Sequence, residues 1–364
     1  MRVPAPRTVR LSFVIALILI TNNRSFAQNY TWSATSGGSW VNGTNWGEAP
    51  GDFPSGSSDR ATFSSAGNGS TKIVTLDVAI TLRRLNFSAD QTGSITLAPG
   101  MGGSLTLTTA SIIRSGQPSL EVLAGSGNHT ITADVTLSGP DPHRWVIGSN
   151  QTLTVAGNID GSQGLTLSGP GTLIVTGTNT YTGPTIMAQG TLGGSGALAS
   201  AVTTQLGTTI NAGTSASSPD LTLQNGLNLG GRYLVTLFDN NSLSRLDVTS
   251  GTASLLPATS SLEIVLGAGV TVDSFRAGGT RSFTIIDAGN NQLSGTFSTS
   301  DFTSAGFAAS EWTVTYDNAS GDVTVNFTPV PESTLMLGLA AGVLFAGWRV
   351  GKRCDCSLSG SRAS

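Results

Sequence analysis

The chain has 364 residues, of which only 11% are charged, against about a quarter in an ordinary soluble domain, and it carries 47 glycines and a net charge of −3. Its few Lys and Arg are scattered or gathered at the two ends, so there is no basic field for nucleic acid, and no nucleic-acid partner is expected. The two cysteines, Cys354 and Cys356, lie close to the C-terminus and cannot staple the body, whose stability must come from packing of Leu, Val and Ile and from backbone ladders.

Arg2, Arg7 and Arg10 precede an apolar run, Leu11 to Ile20, and a polar stretch ending Ser25-Phe26-Ala27. That order is a secretory signal peptide, residues 1–27, with signal peptidase cutting between Ala27 and Gln28. The run is too short to cross a hydrocarbon core of about 30 Å, which disfavours an uncleaved anchor.

Residues 28–70 follow, with Trp32, Trp40 and Trp46 in TWSATSGGSWVNGTNW, then Pro50, Asp59 and Ala61-Thr62-Phe63. Exposed indoles would make a sugar-stacking platform, the surface of a carbohydrate-binding module. Buried indoles would instead plug the open end of a solenoid, whose core and edges need covering. The plug is the preferred reading, and the segment also resembles the opening module of exported repeat proteins.

Between 71 and 220, Val74, Leu76, Val78, Ile80 and Leu82 alternate with smaller or polar residues, the period of one half-buried strand. The signal recurs at Leu105 to Leu107, Ile131 to Leu137, Leu153 to Val155, Leu165 to Leu167 and Leu173 to Val175, between Gly, Ser, Asn and Pro clusters. Short strands at such intervals suit a β-solenoid, although a run of sandwich domains has the same local alternation.

The stretch from Gly171 to Leu192, GTLIVTGTNTYTGPTIMAQGTL, resembles the autotransporter-associated β-strand repeat, with Pro184 where glycine is usual. The resemblance implies a right-handed parallel β-helix. In it Asn179 and Gly183 are expected to supply turns with positive φ, Leu173, Val175, Ile186 and Leu192 to point inward, and Tyr181 to cover a coil edge.

From Leu221 the alternating segments lengthen, and Trp312 to Tyr316 with Val323 to Phe327 reads as a hairpin around Asp317 to Asp322. Residues 221–328 are therefore expected to form a second, capping or sandwich-like β region. Phe283 to Phe297 resembles the β module that precedes a C-terminal sorting signal. In 329–353, Val330-Pro331-Glu332 precedes an apolar run, Leu335 to Trp348, and a basic stop of Arg349, Lys352 and Arg353. This order resembles the PEP-CTERM sorting signal of exported bacterial proteins, here without the second proline. It implies processing by an exosortase-type membrane protease, transient membrane association and outward release. The basic flank marks the cytoplasmic side, with 354–364 as the tail; a permanent anchor is the alternative.

Candidate chemistry is sparse. His129 and His143 have no partners at metal-ligand spacing. Asp134, Asp141, His143 and Arg144 are the only set offered for a polysaccharide-cleaving site. Asp317, Asn318 and Asp322 are the only candidates for calcium. No G-x-S-x-G elbow occurs, and no catalytic residue, metal or cofactor is assigned. The expected fold is all-β: a right-handed parallel β-helix, a smaller antiparallel β region and a short C-terminal transmembrane helix. The expected function is an exported structural or adhesion protein at the cell surface or in the matrix, with extracellular polysaccharide as partner. The alternatives are a β-helical polysaccharide lyase or glycoside hydrolase, and a carbohydrate-binding module.

Overall fold

The computed structural model describes residues 27–64, 69–109 and 117–330. The expectations for the leader ahead of Ala27 lie outside them. So do those for Pro331, Glu332, the apolar run, Arg349, Lys352, Arg353 and the tail. Among the described residues no helix is long and apolar enough to cross a membrane.

Short alternating strands cannot bury their apolar edge-to-edge rows alone, and here each one lies beside its counterpart one coil away. Thr152–Val155 pairs in parallel with His129–Ile131 on one side and with Thr172–Val175 on the other. Among the described residues two sheets contain eleven strands each. A third face is divided between a four-stranded sheet ending at Ile159–Gly161 and a seven-stranded sheet starting at Thr178–Asn179. Strand order along each face advances by one strand per coil, up to a closing antiparallel hairpin on the third face, which is a parallel β-solenoid. Sandwich domains, which need antiparallel neighbours, are ruled out for this part of the chain.

Stacking in register lines up like residues from coil to coil. Leu153, Leu173, Leu192, Ile210, Tyr233 and Leu262 form one such inward column, all buried. Each aliphatic member contributes about 1.5–3 kcal/mol of burial. The outward neighbours form columns too, such as Thr96, Thr130 and Thr154, and on the third face Thr81, Thr106 and Thr136.

Three expectations need correction. The alternating run Val74 to Leu82 is two strands on different faces, Lys72–Leu76 and Ala79–Leu82. Val74, Leu76, Ile80 and Leu82 are fully buried, whereas Val78 is 45% exposed, because the chain turns a corner there. Ile131 to Leu137 divides in the same way, into His129–Ile131 and Val135–Ser138.

The third correction concerns residues 221–328, which are not a separate antiparallel region. Arg232–Leu237 pairs in parallel with Ser261–Leu266, which pairs in parallel with Thr299–Asp301, so the coils continue. Among the described strands, antiparallel ladders join only Arg281–Asp287, Asp322–Phe327 and Trp312–Asp317; Leu237 and Leu243 add an isolated antiparallel bridge. Parallel and antiparallel strands share the period of two, so alternation alone does not separate them.

Both ends of the coil are closed by aromatic side chains. At the N-terminal end Asn29–Trp32 already pairs in parallel with Arg60–Phe63, so 28–70 supplies the first coils as well as the plug. At the other end the short helix Val272–Ala277, capped by Thr271 and Ser274, drives Phe275 into contact with Phe307, Trp312 and Phe327.

Candidate functional sites at the ends and corners

Trp32, Trp40 and Trp46 are 1%, 0% and 3% exposed, and this burial overturns the sugar-stacking platform. Trp46 meets Trp40 at 4.6 Å and Trp32 at 5.0 Å, both edge-on, and all three pack on Phe63. Trp40 donates its indole N–H to the Pro54 carbonyl at 2.9 Å, and Trp46 donates to Trp40 at 2.8 Å. The stack continues through Phe63 and Phe87 to His129, whose ring lies 4.1 Å from that of Phe87. Beside the plug is a polar hollow of about 260 Å³, lined by Tyr30, Asp52, Phe53, Ser55 and Asp59 among others.

Gln28, on the downstream side of the expected signal cut, enters the fold at this hollow. Its N–H donates to Asp59 Oδ1 at 3.3 Å, its carbonyl accepts from Arg60 N at 2.9 Å, and its side chain meets the Tyr30 hydroxyl at 2.6 Å. Ala27 is exposed.

The four residues offered for polysaccharide cleavage each bond to separate partners. His143 and Arg144 are consecutive on one strand and face opposite sides. His143 is buried, bonded to Ser119 Oγ and the Ser138 carbonyl at 2.9 Å each, while Arg144 is exposed and donates to Ser168 Oγ. Burial lowers the His143 pKa. Asp134 sits at a corner, where its Oδ1 accepts from Asn158 N at 2.8 Å. Asp141 is in an exposed turn, tied to Thr109 through its backbone. His129 is buried, and desolvation lowers its pKa to about 3. The Ile95 N–H donates to its Nδ1, which leaves Nε2 to carry the proton toward Ser126 Oγ, so it is a neutral core residue.

Within the repeat the roles differ from those expected. Neither Asn179 nor Gly183 has positive φ; Gly190 does, as does Gly169 just ahead of the repeat, both at φ 85°, and a Cβ on Gly190 would lie 2.5 Å from the Gly169 carbonyl oxygen. Leu173, Val175 and Leu192 point inward, but Ile186 does not, since Thr185 and Met187 take the inward positions. Tyr181 is fully interior, with its hydroxyl 2.5 Å from Thr185 Oγ1, itself 2.6 Å from Ser200 Oγ.

Asn179, fully buried, bridges three coils. Its Oδ1 accepts from Ile159 N, and its Nδ2 donates to the carbonyls of Gly177 and Ala197, each at 3.0 Å. One step outward, Asp134 accepts from Asn158 N and Asn158 accepts from Thr178 N, so a column of Asx side chains stitches this corner. In the sequence that column appears only as Asp134, Asn158 and Asn179 just before each third-face strand or within it, a faint cue without the register.

At the C-terminal end Asp317 accepts from Ala319 N and Ser320 N, and these bonds hold its carboxyl below the usual range; the residues proposed for calcium form a hairpin turn. Asp247, Asp287, Asp322 and Asp317 occupy one register row across four strands. Burial raises the pKa of Asp247, opposed by Arg245, which is bonded to both oxygens of Asp220. Among the described residues no group of three His, Cys, Asp or Glu is placed to hold a metal ion.

Glu311 is a fully buried carboxylate at this end. Arg276 clamps it with two bonds of 2.7 Å, and it also accepts from Ala308 N at 2.7 Å and Val330 N at 3.4 Å. Burial alone would raise its pKa, but Arg276 and the two N–H groups hold it below the ordinary value. Val330, the first residue of the expected sorting motif, is thus tied to the body through Glu311.

No family model matches the chain, and no solved structure does. A segment is 34% identical over 119 residues to the Adhesin BmaC autotransporter of Brucella suis biovar 1 (strain 1330), covering 29% of this chain and 3% of that protein. This all-β chain with long parallel sheets is therefore similar, over less than a third of its length, to part of an autotransporter adhesin.

Proposed function

We propose that the protein is an exported, surface-displayed or matrix-associated structural protein that works as an adhesin-like rod. The observation that carries this reading is the closed, multi-coil parallel solenoid itself, whose outer faces repeat uncharged hydroxyl columns such as Thr81, Thr106 and Thr136. Such a surface offers many equivalent weak contacts to a long repetitive partner, an extracellular polysaccharide, and the partial likeness to an adhesin supports the same reading. The coils are taken to wind right-handedly, the hand that parallel crossovers favour.

In this reading signal peptidase cuts between Ala27 and Gln28. An exosortase-type protease then recognises Val330-Pro331-Glu332 while the apolar run and Arg349, Lys352 and Arg353 hold the C-terminus in the inner membrane. The test is fractionation of producing cells with mass spectrometry of both mature termini, together with retention of the secreted body on matrix polysaccharide. A chain recovered outside the cell, cut near Pro331 and retained on the polysaccharide, is the expected result. An intact chain confined to the cytoplasm, or a body that passes through the matrix unretarded, refutes the reading.

A further inference from the structure

We infer that Asp59 is the receptor for the α-ammonium group that signal-peptide removal creates at Gln28. The inference rests on the proposed cut between Ala27 and Gln28.

Asp59 is 7% exposed, and its carboxylate accepts from three backbone N–H groups: Ser55 at 3.3 Å, Gly56 at 2.9 Å and Gln28 at 3.3 Å. The first two are fixed within the tight turn that carries Asp59. The third belongs to the residue that becomes the N-terminus. A nearly buried carboxylate held by neutral donors gains most from a cation, and charge-assisted bonds are roughly twice as strong as neutral ones. Cleavage converts the Gln28 amide nitrogen into such a cation without moving it.

Two further contacts hold it in place. The Gln28 carbonyl accepts from Arg60 N, the first rung of a parallel ladder, and the Gln28 side chain rests on the Tyr30 hydroxyl, which also reaches Asp52 at 3.0 Å. Asp52 is the second carboxylate of the hollow, and the nearest basic side chain in sequence is Arg60, directly after Asp59. Ala27 has no corresponding place, being exposed. Leader removal thus does more than free the chain: it completes the plug over the end of the solenoid with an ion pair that the precursor lacks.

The test is amine acylation of the exported protein across pH, with the Gln28 peptide read by mass spectrometry, folded and in urea. An α-amine has an ordinary pKa of about 8, and each unit of upward shift slows acylation at pH 7 about tenfold. Folded wild type is expected to acylate at least about tenfold more slowly than the urea-unfolded chain, and Asp59→Asn, which keeps an acceptor but no charge, to lose most of that difference. The comparison of folded with unfolded wild type stands even if the variant fails to fold. Equal rates in the two states, or a Gln28 found cyclised to pyroglutamate, overturn the ion pair while leaving the cut intact. An N-terminus at another residue removes the cut and the ion pair together.

Discussion

Replacing Asn179 by alanine tests whether the corner column holds the solenoid together across the break in its third face. The four-stranded sheet ends at Ile159–Gly161 and the seven-stranded sheet begins at Thr178–Asn179, so ordinary ladder pairing is interrupted there. The Asn179 side chain spans it, from Ile159 N on one side to the Ala197 carbonyl on the other. Ile159 is fully buried, so its N–H has no access to water once Oδ1 is gone, a cost of about 1–3 kcal/mol. The Gly177 and Ala197 carbonyls are partly exposed, and losing their donor costs about 0.5–1 kcal/mol each. Asn179→Ala should therefore destabilise by about 2–5 kcal/mol, lowering the melting temperature by roughly 3–8 °C in a chain of this size. Asn179→Asp keeps the acceptor for Ile159 but turns a buried charge toward two carbonyls, and should be at least as damaging. Urea unfolding gives the free energy, and amide hydrogen exchange at Ile159 gives its location. A loss below about 0.5 kcal/mol, or unchanged protection of Ile159, would refute the argument.

His129 makes stability depend on acid. Its folded pKa of about 3 lies below its unfolded value of 6.5, so the unfolded chain binds more protons between them. Stability should be complete above 6.5 and fall by roughly 1 kcal/mol per pH unit toward 3. Urea midpoints at pH 7 and pH 5 check this, and His129→Gln should flatten the slope. Trp40→Ala removes the fully buried centre of the N-terminal plug and should cost about 3–5 kcal/mol. In the wild type, soluble oligosaccharides should leave tryptophan emission unchanged, and a saturable spectral shift would restore the sugar platform. Arg276→Met leaves the Glu311 carboxylate, whose side chain is 0% exposed, without its cation, a loss of about 3–5 kcal/mol at neutral pH. The deficit should shrink in acid as Glu311 protonates, so melting curves at pH 7 and pH 4 ought to converge.

What the amino-acid sequence determines by itself is which residues alternate, where the chain turns, and which bulky groups must be hidden. Alternation marked Leu153 and Leu173 as inward residues and the repeat resemblance added Leu192, while the need to cover a solenoid's open end favoured the three early tryptophans as a plug, because bulky apolar side chains must be hidden. Tertiary structure decided who pairs with whom. Val78 has the parity of an inward residue yet points out, since a corner falls between two strands that local periodicity joins. Ile186 yields the inside to Thr185 and Met187 because register is inherited from the coil before, Leu165 to Leu167, and not from its own neighbours. The coils run on past residue 220 because parallel and antiparallel strands have the same period. Asn179 looks like a turn residue until Ile159 and Ala197, each about twenty residues away, are brought to its side chain. A solenoid puts its decisive contacts one coil apart, and a contact at that distance leaves little trace in any short window of sequence.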